Sequence, residues 1–407
     1  MPSEAGMVGP LAGFRVVDTT WAAAGPFTSE VASMLGAEVV KVETSTNPDL
    51  FRRVVGRPDL GLDQASRFNG LNLNKKSLRL NLKTQGGQEV FRRLVSCSDA
   101  FVENFRPGVL ARLNLDYENL IKFRPDLVMV SISAAGQSGP DSGQPGYAPI
   151  FNALGGLGYL TGYSDGPPTE VRDSLDLRVG TVGAYALMMA LLHRERTSQG
   201  QWVDISAREV TASLIGDAFI ERSLSGEKPT RNANASGVPL AAPYDVYRCL
   251  GDDCWVAIGV TTDQQWVGLC EAMGRPDLAR DPRFADRLTR HENRAELDIV
   301  VARWTERLRA AKVARLCRDN GVPSSPLHNG SSLFEDEHVR HRGVLREVQH
   351  PHLGSQQVVR GPWQLASRDV DLQASPLLGA HNSSILRDQL AYSDEEIAAF
   401  ERQGVFE

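Results

Sequence analysis

The chain has 407 residues, of which 42% are hydrophobic and 23% are charged, and its formal net charge is −6. This composition is that of an ordinary globular protein, and the acidic balance argues against a nucleic-acid-binding protein, which usually carries a broad basic surface. The length is large for one hydrophobic core and favours two domains.

The cysteines argue against a secreted or metal-binding protein. They are odd in number and irregularly spaced: Cys97, Cys249, Cys254, Cys270 and Cys317. Such a set does not indicate a disulfide framework and is typical of the reducing cytoplasm. Their spacing, like that of the histidines, matches no metal-binding motif, so no metal is expected. The amino terminus lacks a secretion signal, and no stretch approaches the roughly 18 apolar residues of a membrane-spanning helix, so no membrane association is expected.

The first part of the chain predicts a strand at 14–20, a helix at 25–35 and a strand at 38–43. A strand-helix-strand unit connects parallel neighbours, so a parallel sheet is expected. Glu43 ends the second strand, where dinucleotide-binding proteins hold a ribose hydroxyl with an acid. However, the turn at 21–26 lacks the Gly-x-Gly-x-x-Gly pattern that a pyrophosphate requires, and nicotinamide binding is therefore not predicted.

The alternation of strands and helices continues to residue 133, which is typical of an α/β domain. The next strands are predicted at 77–82, 100–103 and 127–133, with helices at 86–96 and 117–123. Ligands of open parallel sheets bind beyond the carboxyl ends of the strands. Asn104, Phe105 and Ser133 lie at such ends and are candidate ligand-binding residues.

A nearly all-apolar run at 184–192 predicts a helix that is buried on all sides. Asp176 lies at the amino end of this helix. An aspartate in that place is most often an N-cap, which accepts hydrogen bonds from the first amide groups. The same place suits catalysis, because the helix dipole favours an ionised carboxylate, which can act as a nucleophile. The residues by themselves leave both interpretations open.

The remaining residues predict a second, smaller domain. A helix at 208–225 precedes a polar stretch with glycine and proline at 226–240, which is predicted to be a linker. Mixed strand and helix patterns predict a small α+β domain at 241–330, and a further linker and a carboxyl-terminal segment occupy 331–407. Ser393 and Glu396 form a predicted capping box before the last helix. The large domain is accordingly assigned to residues 1–225.

A series of short motifs runs in one order along nearly the whole chain. They are Pro10-Leu-Ala-Gly13 with Asp18, Gly25-Pro26, Leu35-Gly36 with Lys41 and Glu43, Asn74-Lys75-Lys76-Ser77 with Lys83, Val102-Glu103-Asn104-Phe105-Arg106-Pro107-Gly108, Gly136-Gln-Ser-Gly-Pro140, Asp176-x3-Gly180, His193-Arg194 with Gly200 and Asp204, and Ser375-Pro-Leu-Leu-Gly379 with His381. Together they resemble the class III (family III) CoA-transferases, the CaiB/BaiF family that includes formyl-CoA transferase and the carnitine CoA-transferase.

This resemblance implies a fold and a set of partners. It implies an α/β protein with a Rossmann-like parallel-sheet large domain that binds CoA, a smaller α+β domain, and a carboxyl-terminal segment that returns to the large domain. Two chains of the family form an interlocked homodimer. The substrates are an acyl-CoA and a small carboxylic acid, and no prosthetic group is implied.

The resemblance also assigns site residues. Asp176 matches the catalytic aspartate, whereas Asp173 misses the Asp-x3-Gly register and is expected to be structural. The positions that match CoA contacts are Leu80, Lys83, Asn104, Phe105 and Arg112. Further active-site candidates are Tyr147, Ser133 and Ala23, of which Ser133 replaces a family lysine and Ala23 a family glutamine.

The predicted activity is transfer of CoA from an acyl-CoA, with succinyl-CoA as a candidate donor, to a carboxylic acid through aspartyl anhydride and aspartyl-CoA thioester intermediates. An acyl-CoA racemase is one alternative, but racemases of this fold carry a catalytic histidine where this chain has Gly146, and they need such a base. An intramolecular CoA isomerase is another. A non-catalytic CoA-binding protein is a third, although a pure binding protein has no need of a nucleophile at Asp176.

Overall fold

The computed structural model describes residues 9–53, 60–170, 174–234, 238–366 and 370–407. They cluster into two compact units, a large unit in the ranges 1–161, 168–229 and 341–407 and a small unit in the ranges 162–167 and 230–340. The small unit thus starts inside the stretch predicted as a linker and continues past residue 330. It also takes in residues 162–167, which the sequence places in the large domain.

The large unit is built on a parallel sheet. Its strands are β1 Arg15–Asp18, β2 Glu38–Glu43, β3 Lys75–Arg79, β4 Ala100–Glu103, β5 Val128–Ser133 and β6 Gln201–Ser206. They pair in parallel in the order β3-β2-β1-β4-β5-β6, which confirms the predicted α/β class with a parallel sheet. The strand order reverses between β1 and β4, so the carboxyl ends of these two strands form the switch point at which such sheets bind ligands.

Helices accompany this sheet along the chain. They are α1 Ala24–Met34, α2 Ser66–Asn69, α3 Gln85–Ser96, α4 Val109–Arg112, α5 Tyr117–Leu120, α6 Ala148–Leu154, α7 Leu157–Leu160, α8 Ser174–Thr197, α9 Ala207–Ser213 and α10 Gly216–Ser225. The prediction of one helix at 208–225 is wrong, because Ile215 has φ −122° and ψ 32° and leaves the helical range between α9 and α10.

The small unit contains an antiparallel sheet and its own core. Its strands are β7 Tyr244–Arg248, β8 Trp255–Gly259 and β9 Ser324–Pro326, and its helices are α11 Asp263–Ala272, α12 Arg287–Glu292, α13 Arg294–Thr305, α14 Ala310–Asp319, α15 Gly330–Glu335 and α16 Glu337–His341, the last of which ends at the unit boundary. Trp266 and Phe284 pack edge to face at the centre of this core.

The chain then returns to the large unit. The returning elements are the hairpin β10 Leu345–His350 and β11 Gly354–Val359, α17 Asn382–Ser384, a π-helical turn Ile385–Gln389 and α18 Asp394–Arg402. The capping box of Ser393 and Glu396 at the start of α18 is confirmed.

The strands of the parallel sheet are buried on both faces. Val16 and Val17 are both fully buried but belong to different hydrophobic cores. They do so because successive side chains of a strand point to opposite faces. One core contains residues of α3 and of the carboxyl-terminal helices, and the other contains residues of α1 and α8. This double coverage explains why these strands read as continuous apolar runs in the sequence.

Helix α8 is not buried on all sides, contrary to the prediction. Leu177, Val182, Tyr185, Met189 and Leu192 form a stripe along it, hereafter the outer stripe, and Tyr185 is 63% exposed. The prediction that no stretch approaches a membrane span also needs correction. By length and composition α8 is the one helix of the described residues that could cross a membrane, with mean hydropathy 1.4. A core helix of a soluble protein passes the same test, and the opposite face of α8 packs in the core with α1.

A buried network of charges links Asp18 at the carboxyl end of β1, Lys41 inside β2 and Lys75 at the amino end of β3. Lys75 Nζ donates to Asp18 Oδ2 at 2.9 Å, to Pro26 O at 2.8 Å and to Asn72 Oδ1 at 2.8 Å. The side chains of Lys75 and Asp18 are fully buried. Burial by itself would raise the pKa of Asp18, but the ammonium groups of Lys41 and Lys75 lower it below its usual range. The network therefore places an ionised carboxylate at the carboxyl end of β1, one of the two strands that form the switch point.

Candidate active site

A cavity of about 350 Å³ opens at the switch point of the parallel sheet. Its walls come from residues 21–24, which follow β1, from 104–107, which follow β4, from 132–134 at the end of β5, and from 144–147 before α6. All of these segments belong to the large unit. The cavity is therefore placed where the strand order alone predicts a ligand.

Asp176 lines this cavity from the first turn of α8. It lies inside the helix and not at the N-cap position, so the N-cap interpretation of Asp176 is wrong. Asp173, its competitor in the sequence, lies outside the described residues. Amide groups of the first helical turn have no partner within the helix, and the positive end of the helix dipole favours a carboxylate beside them. The fold thus presents a half-buried carboxylate to the cavity.

Two glycines bring α8 close to α1. A Cβ atom at Gly180 would lie 2.6 Å from Ala24 O and 3.1 Å from Phe27 Cβ, and one at Gly183 would lie 2.4 Å from Thr28 Oγ1. Thr28 Oγ1 also donates to Gly180 O at 3.0 Å. Gly180 is one turn after Asp176, so this close packing sets how near the carboxylate comes to the loop after β1.

We expect Gly180→Ala to push α8 away from α1. The overpacking should lower the free energy of unfolding by about 1–3 kcal/mol, and the displaced carboxylate should slow the transfer reaction that the family resemblance predicts by roughly 10- to 100-fold. The control is Gly216→Ala in α10, where an added Cβ meets no atom within 4 Å. Chemical denaturation and steady-state kinetics measure both effects, and a Gly180→Ala enzyme with unchanged kinetics would show that this contact does not position Asp176.

Asn104 holds the loop that follows β1. Its Nδ2 donates to Trp21 O at 2.9 Å, and its Oδ1 accepts from Trp21 N–H at 2.8 Å. Ala22, the residue after Trp21, has φ +63° and donates its N–H to Asp49 Oδ1 at 3.1 Å. A non-glycine residue at positive φ is strained and needs its surroundings to hold it. Asn104 and Asp49 therefore fix one wall of the cavity.

Glu103 fixes the neighbouring wall. It is 3% exposed, and its Oε2 accepts a hydrogen bond from Phe105 N–H at 2.8 Å. Burial raises the pKa of Glu103 to about 7, and nearby Asp204 adds to this effect, although hydrogen bonds from Ser131 and from the Phe105 amide oppose it. The geometry assigns Glu103 to positioning Phe105, whose partly buried ring packs against the core.

The structure brings most of the sequence-derived candidates together. Those that line the cavity are Ala23, Asn104, Phe105, Ser133, Tyr147 and Asp176. The CoA-contact candidates Leu80, Lys83 and Arg112 do not line it. Lys83 and Arg112 are exposed, whereas Leu80 is fully buried in the core and presents no side-chain surface to a ligand. The assignment of these residues to CoA stays a prediction.

The sequence did not single out three other residues of the cavity lining. They are Trp21, Arg106 and Gln144. Arg106 belongs to the motif that begins at Val102, and Trp21 is the first residue of the turn after β1. Both follow a strand, and this position could have marked them as candidate ligand-binding residues. Gln144 had none. Arg106 is exposed and has no ion-pair partner among the described residues, so it places a positive charge at the cavity.

Comparison with known proteins now identifies the family. The sequence model of CoA-transferase family III matches residues 11–382. This chain belongs to CoA-transferase family III. The family III chain is 34% identical to the succinyl-CoA–D-citramalate CoA-transferase of Chloroflexus aurantiacus over 97% of this chain and 98% of that protein. It is 32% identical to the succinyl-CoA:glutarate CoA-transferase of Mus musculus over 100% of this chain and 92% of the mouse protein.

A solved structure supports the same assignment. This chain is 30% identical in sequence to a CaiB/BaiF family protein from Brucella suis whose crystal structure is known. The two structures match with a TM-score of 0.85, and the match covers 94% of this chain and 99% of the Brucella suis chain. The predicted family and enzyme class are therefore confirmed. As a CoA-transferase of family III, the protein is an enzyme that uses CoA thioesters as substrates.

Proposed function

We propose that this enzyme transfers CoA from succinyl-CoA to a dicarboxylic acid, with Asp176 as the covalent nucleophile. The observation that carries the proposal is the position of Asp176, in the first turn of α8 and on the wall of the switch-point cavity. The two relatives named above support the substrate class, since the name of each pairs succinyl-CoA with a dicarboxylic acid.

The proposed route passes through two covalent intermediates on Asp176 in its first half, an anhydride and a CoA thioester. A carboxylate oxygen of Asp176 attacks the thioester carbonyl carbon of succinyl-CoA, the C–S bond breaks, and CoA leaves as a thiolate. The thiolate then attacks the Asp176 carbonyl carbon of the resulting anhydride, which releases succinate and leaves an aspartyl-CoA thioester. Splitting one difficult exchange into such steps is the usual advantage of a covalent nucleophile.

The second half of the route repeats these steps with the acceptor. The acceptor carboxylate attacks the aspartyl thioester carbon and expels the CoA thiolate, which gives a second anhydride. The thiolate attacks the acceptor-derived carbonyl of that anhydride, and the new acyl-CoA forms as the Asp176 carboxylate is regenerated. No proton is gained or lost over the cycle, so the site needs no general base. Exclusion of water protects the anhydrides from hydrolysis.

The structure supplies an argument against a racemase. A Cβ atom at Gly146 would lie 2.8 Å from Phe151 Cε1 and 3.2 Å from Ala134 Cβ. The packing of Phe151 and Ala134 therefore leaves no room for a histidine there without a shift of the cavity wall. A racemase needs a base at this place to move the α-proton.

A transfer assay tests the proposal. Succinyl-CoA is incubated with a panel of ¹³C-labelled dicarboxylic acids in D₂O, and the CoA esters are analysed by mass spectrometry. We expect labelled acyl-CoA without deuterium at the α-carbon. Deuterium uptake without labelled acyl-CoA would favour the racemase instead. CoA binding with neither product would favour a non-catalytic binding protein.

We also propose that two chains form a homodimer, of the interlocked kind that the family resemblance implies. The outer stripe of α8 is exposed in the single chain, and α10 has no buried residue, with Leu224 83% exposed. Large apolar side chains gathered on two helices of one unit are typical of a surface covered by a partner. A second copy of the chain is the occupant that this proposal names.

We expect a dimer mass for the wild type in analytical ultracentrifugation and a shift toward monomer in the variant Tyr185→Asp. The physical reason is that a charge would have to be buried without a partner in the interface. The control is Lys122→Glu, which reverses an exposed charge that lies on neither α8 nor α10. A monomeric wild type at micromolar concentration would refute the dimer.

A further inference from the structure

Ser133 carries a hydroxyl group without a hydrogen-bond partner beside the cavity. It ends β5, lines the cavity that Asp176 lines, and is 9% exposed. Among the described residues, nothing donates to or accepts from its Oγ, which is enclosed by protein atoms. Leaving a buried hydroxyl without a hydrogen-bond partner costs about 1–3 kcal/mol, so such a group usually bonds an ordered water molecule or a ligand.

Two other neutral polar side chains near Ser133 already have hydrogen-bond partners. The amide of Asn104 is bound at both ends by the main chain of Trp21. Ser131, two residues earlier on β5, accepts from Trp202 Nε1 at 2.9 Å and hydrogen-bonds Glu103. Ala23 offers only a methyl group. Ser133 is therefore the small hydroxyl that the fold leaves available at this wall.

We propose that Ser133 donates a hydrogen bond to the second carboxylate of the dicarboxylic acyl group and so selects for that group. This inference rests on the proposed function, of which it names the specificity residue. The bond requires a rotation of Ser133 about χ1 that takes Oγ from its enclosed position to a staggered position facing the cavity. Arg106, in the same lining, supplies a positive charge that favours an anionic group. A site that hydrogen-bonds a substrate oxygen rejects analogues that lack it far better than an apolar site can.

Binding of two thioesters tests the assignment. Succinyl-CoA and butyryl-CoA have the same chain length and differ in the terminal group, which is a carboxylate in one and a methyl in the other. Their Kd values are measured by calorimetry on the full chain carrying Asp176→Asn, which prevents turnover. The measurement is repeated with Ser133→Ala added. Ser98→Ala is the control, because it removes a buried hydroxyl of the same unit that lies outside the cavity lining and donates to Leu94 O.

We expect the parent to bind succinyl-CoA more tightly than butyryl-CoA. Ser133→Ala should reduce this preference by roughly 10-fold or more while the Kd of butyryl-CoA stays unchanged. Ser98→Ala should leave the preference intact. The assignment would be overturned if the Asp176→Asn protein bound the two thioesters equally well. It would also be overturned if adding Ser133→Ala left the ratio of the two Kd values unchanged. Failure of the proposed function is distinguishable, because it shows in the separate transfer assay as absent CoA transfer by the wild type.

Discussion

Replacement of Asp176 by asparagine should lower kcat for CoA transfer by roughly four to six orders of magnitude, the loss seen when a covalent nucleophile is removed. Asparagine keeps the size and hydrogen-bonding capacity of the side chain, so the first turn of α8 and the cavity should persist. Its amide nitrogen and oxygen are poor nucleophiles, and no anhydride can form. The effect should therefore appear in kcat, with the Kd of acyl-CoA little changed.

Two further variants separate the chemistry from the position. Asp176→Glu keeps the carboxylate but moves it by one methylene, and we expect a loss of roughly 100-fold. Asp217→Asn changes an acid in the first turn of α10, which does not line the cavity, and should leave the rate unchanged. If Asp176→Asn retained activity within 10-fold of the wild type, Asp176 would not be the nucleophile.

Replacement of Lys75 by methionine should lower the free energy of unfolding by about 3–5 kcal/mol, the usual cost of removing one partner of a buried ion pair. The substitution removes three hydrogen bonds, to Asp18, Pro26 and Asn72. It also leaves the carboxylate of Asp18 buried with less compensating charge, because Asp18 is fully buried. Methionine fills a similar volume, so little of the loss should come from a cavity.

The neighbouring residue provides the control. Lys76 pairs with Glu38 at 2.5 Å near the surface, where their side chains are 36% and 29% exposed. Lys76→Met should cost only about 0–1 kcal/mol, because surface ion pairs contribute little. Urea denaturation of the three proteins measures the difference. Equal losses for the two substitutions would show that the buried pair of Lys75 and Asp18 stabilises the fold no more than a surface ion pair does.

The strands of the parallel sheet could be predicted from the sequence because each one is recognisable from its own residues. Strands such as 38–43 and 100–103 are short apolar runs between turn signals, and both faces of the sheet are covered, so the runs are nearly continuous. The division into α9 and α10 could not be predicted, because the interruption at Ile215 is a matter of backbone angles and not of residue type. That one face of α8 is exposed could not be predicted for another reason. A buried apolar face and an exposed apolar face consist of the same residue types, so they look alike in a sequence.

The candidate site was predictable in position and less so in roles. Asn104 and Ser133 follow from the rule that ligands bind beyond strand ends, and both line the cavity. The sequence could not show that the amide of Asn104 is bound by Trp21, since side-chain amides pair equally well with main chain and ligand. Leu80 shows the limit of a match by position, because a leucine in a motif gives no sign of whether it faces a ligand or the core.

Mass spectrometry of the trapped intermediate tests the covalent role of Asp176 most directly. The wild type and Asp176→Ala are incubated with succinyl-CoA, the intact masses are recorded, and hydroxylamine is added before proteolysis. We expect a succinyl-CoA-dependent adduct on the wild type, a hydroxamate at Asp176 after hydroxylamine, and neither in Asp176→Ala. CoA transfer by the wild type without any adduct or hydroxamate, or with the hydroxamate at another residue, would contradict the assignment of Asp176 as the nucleophile.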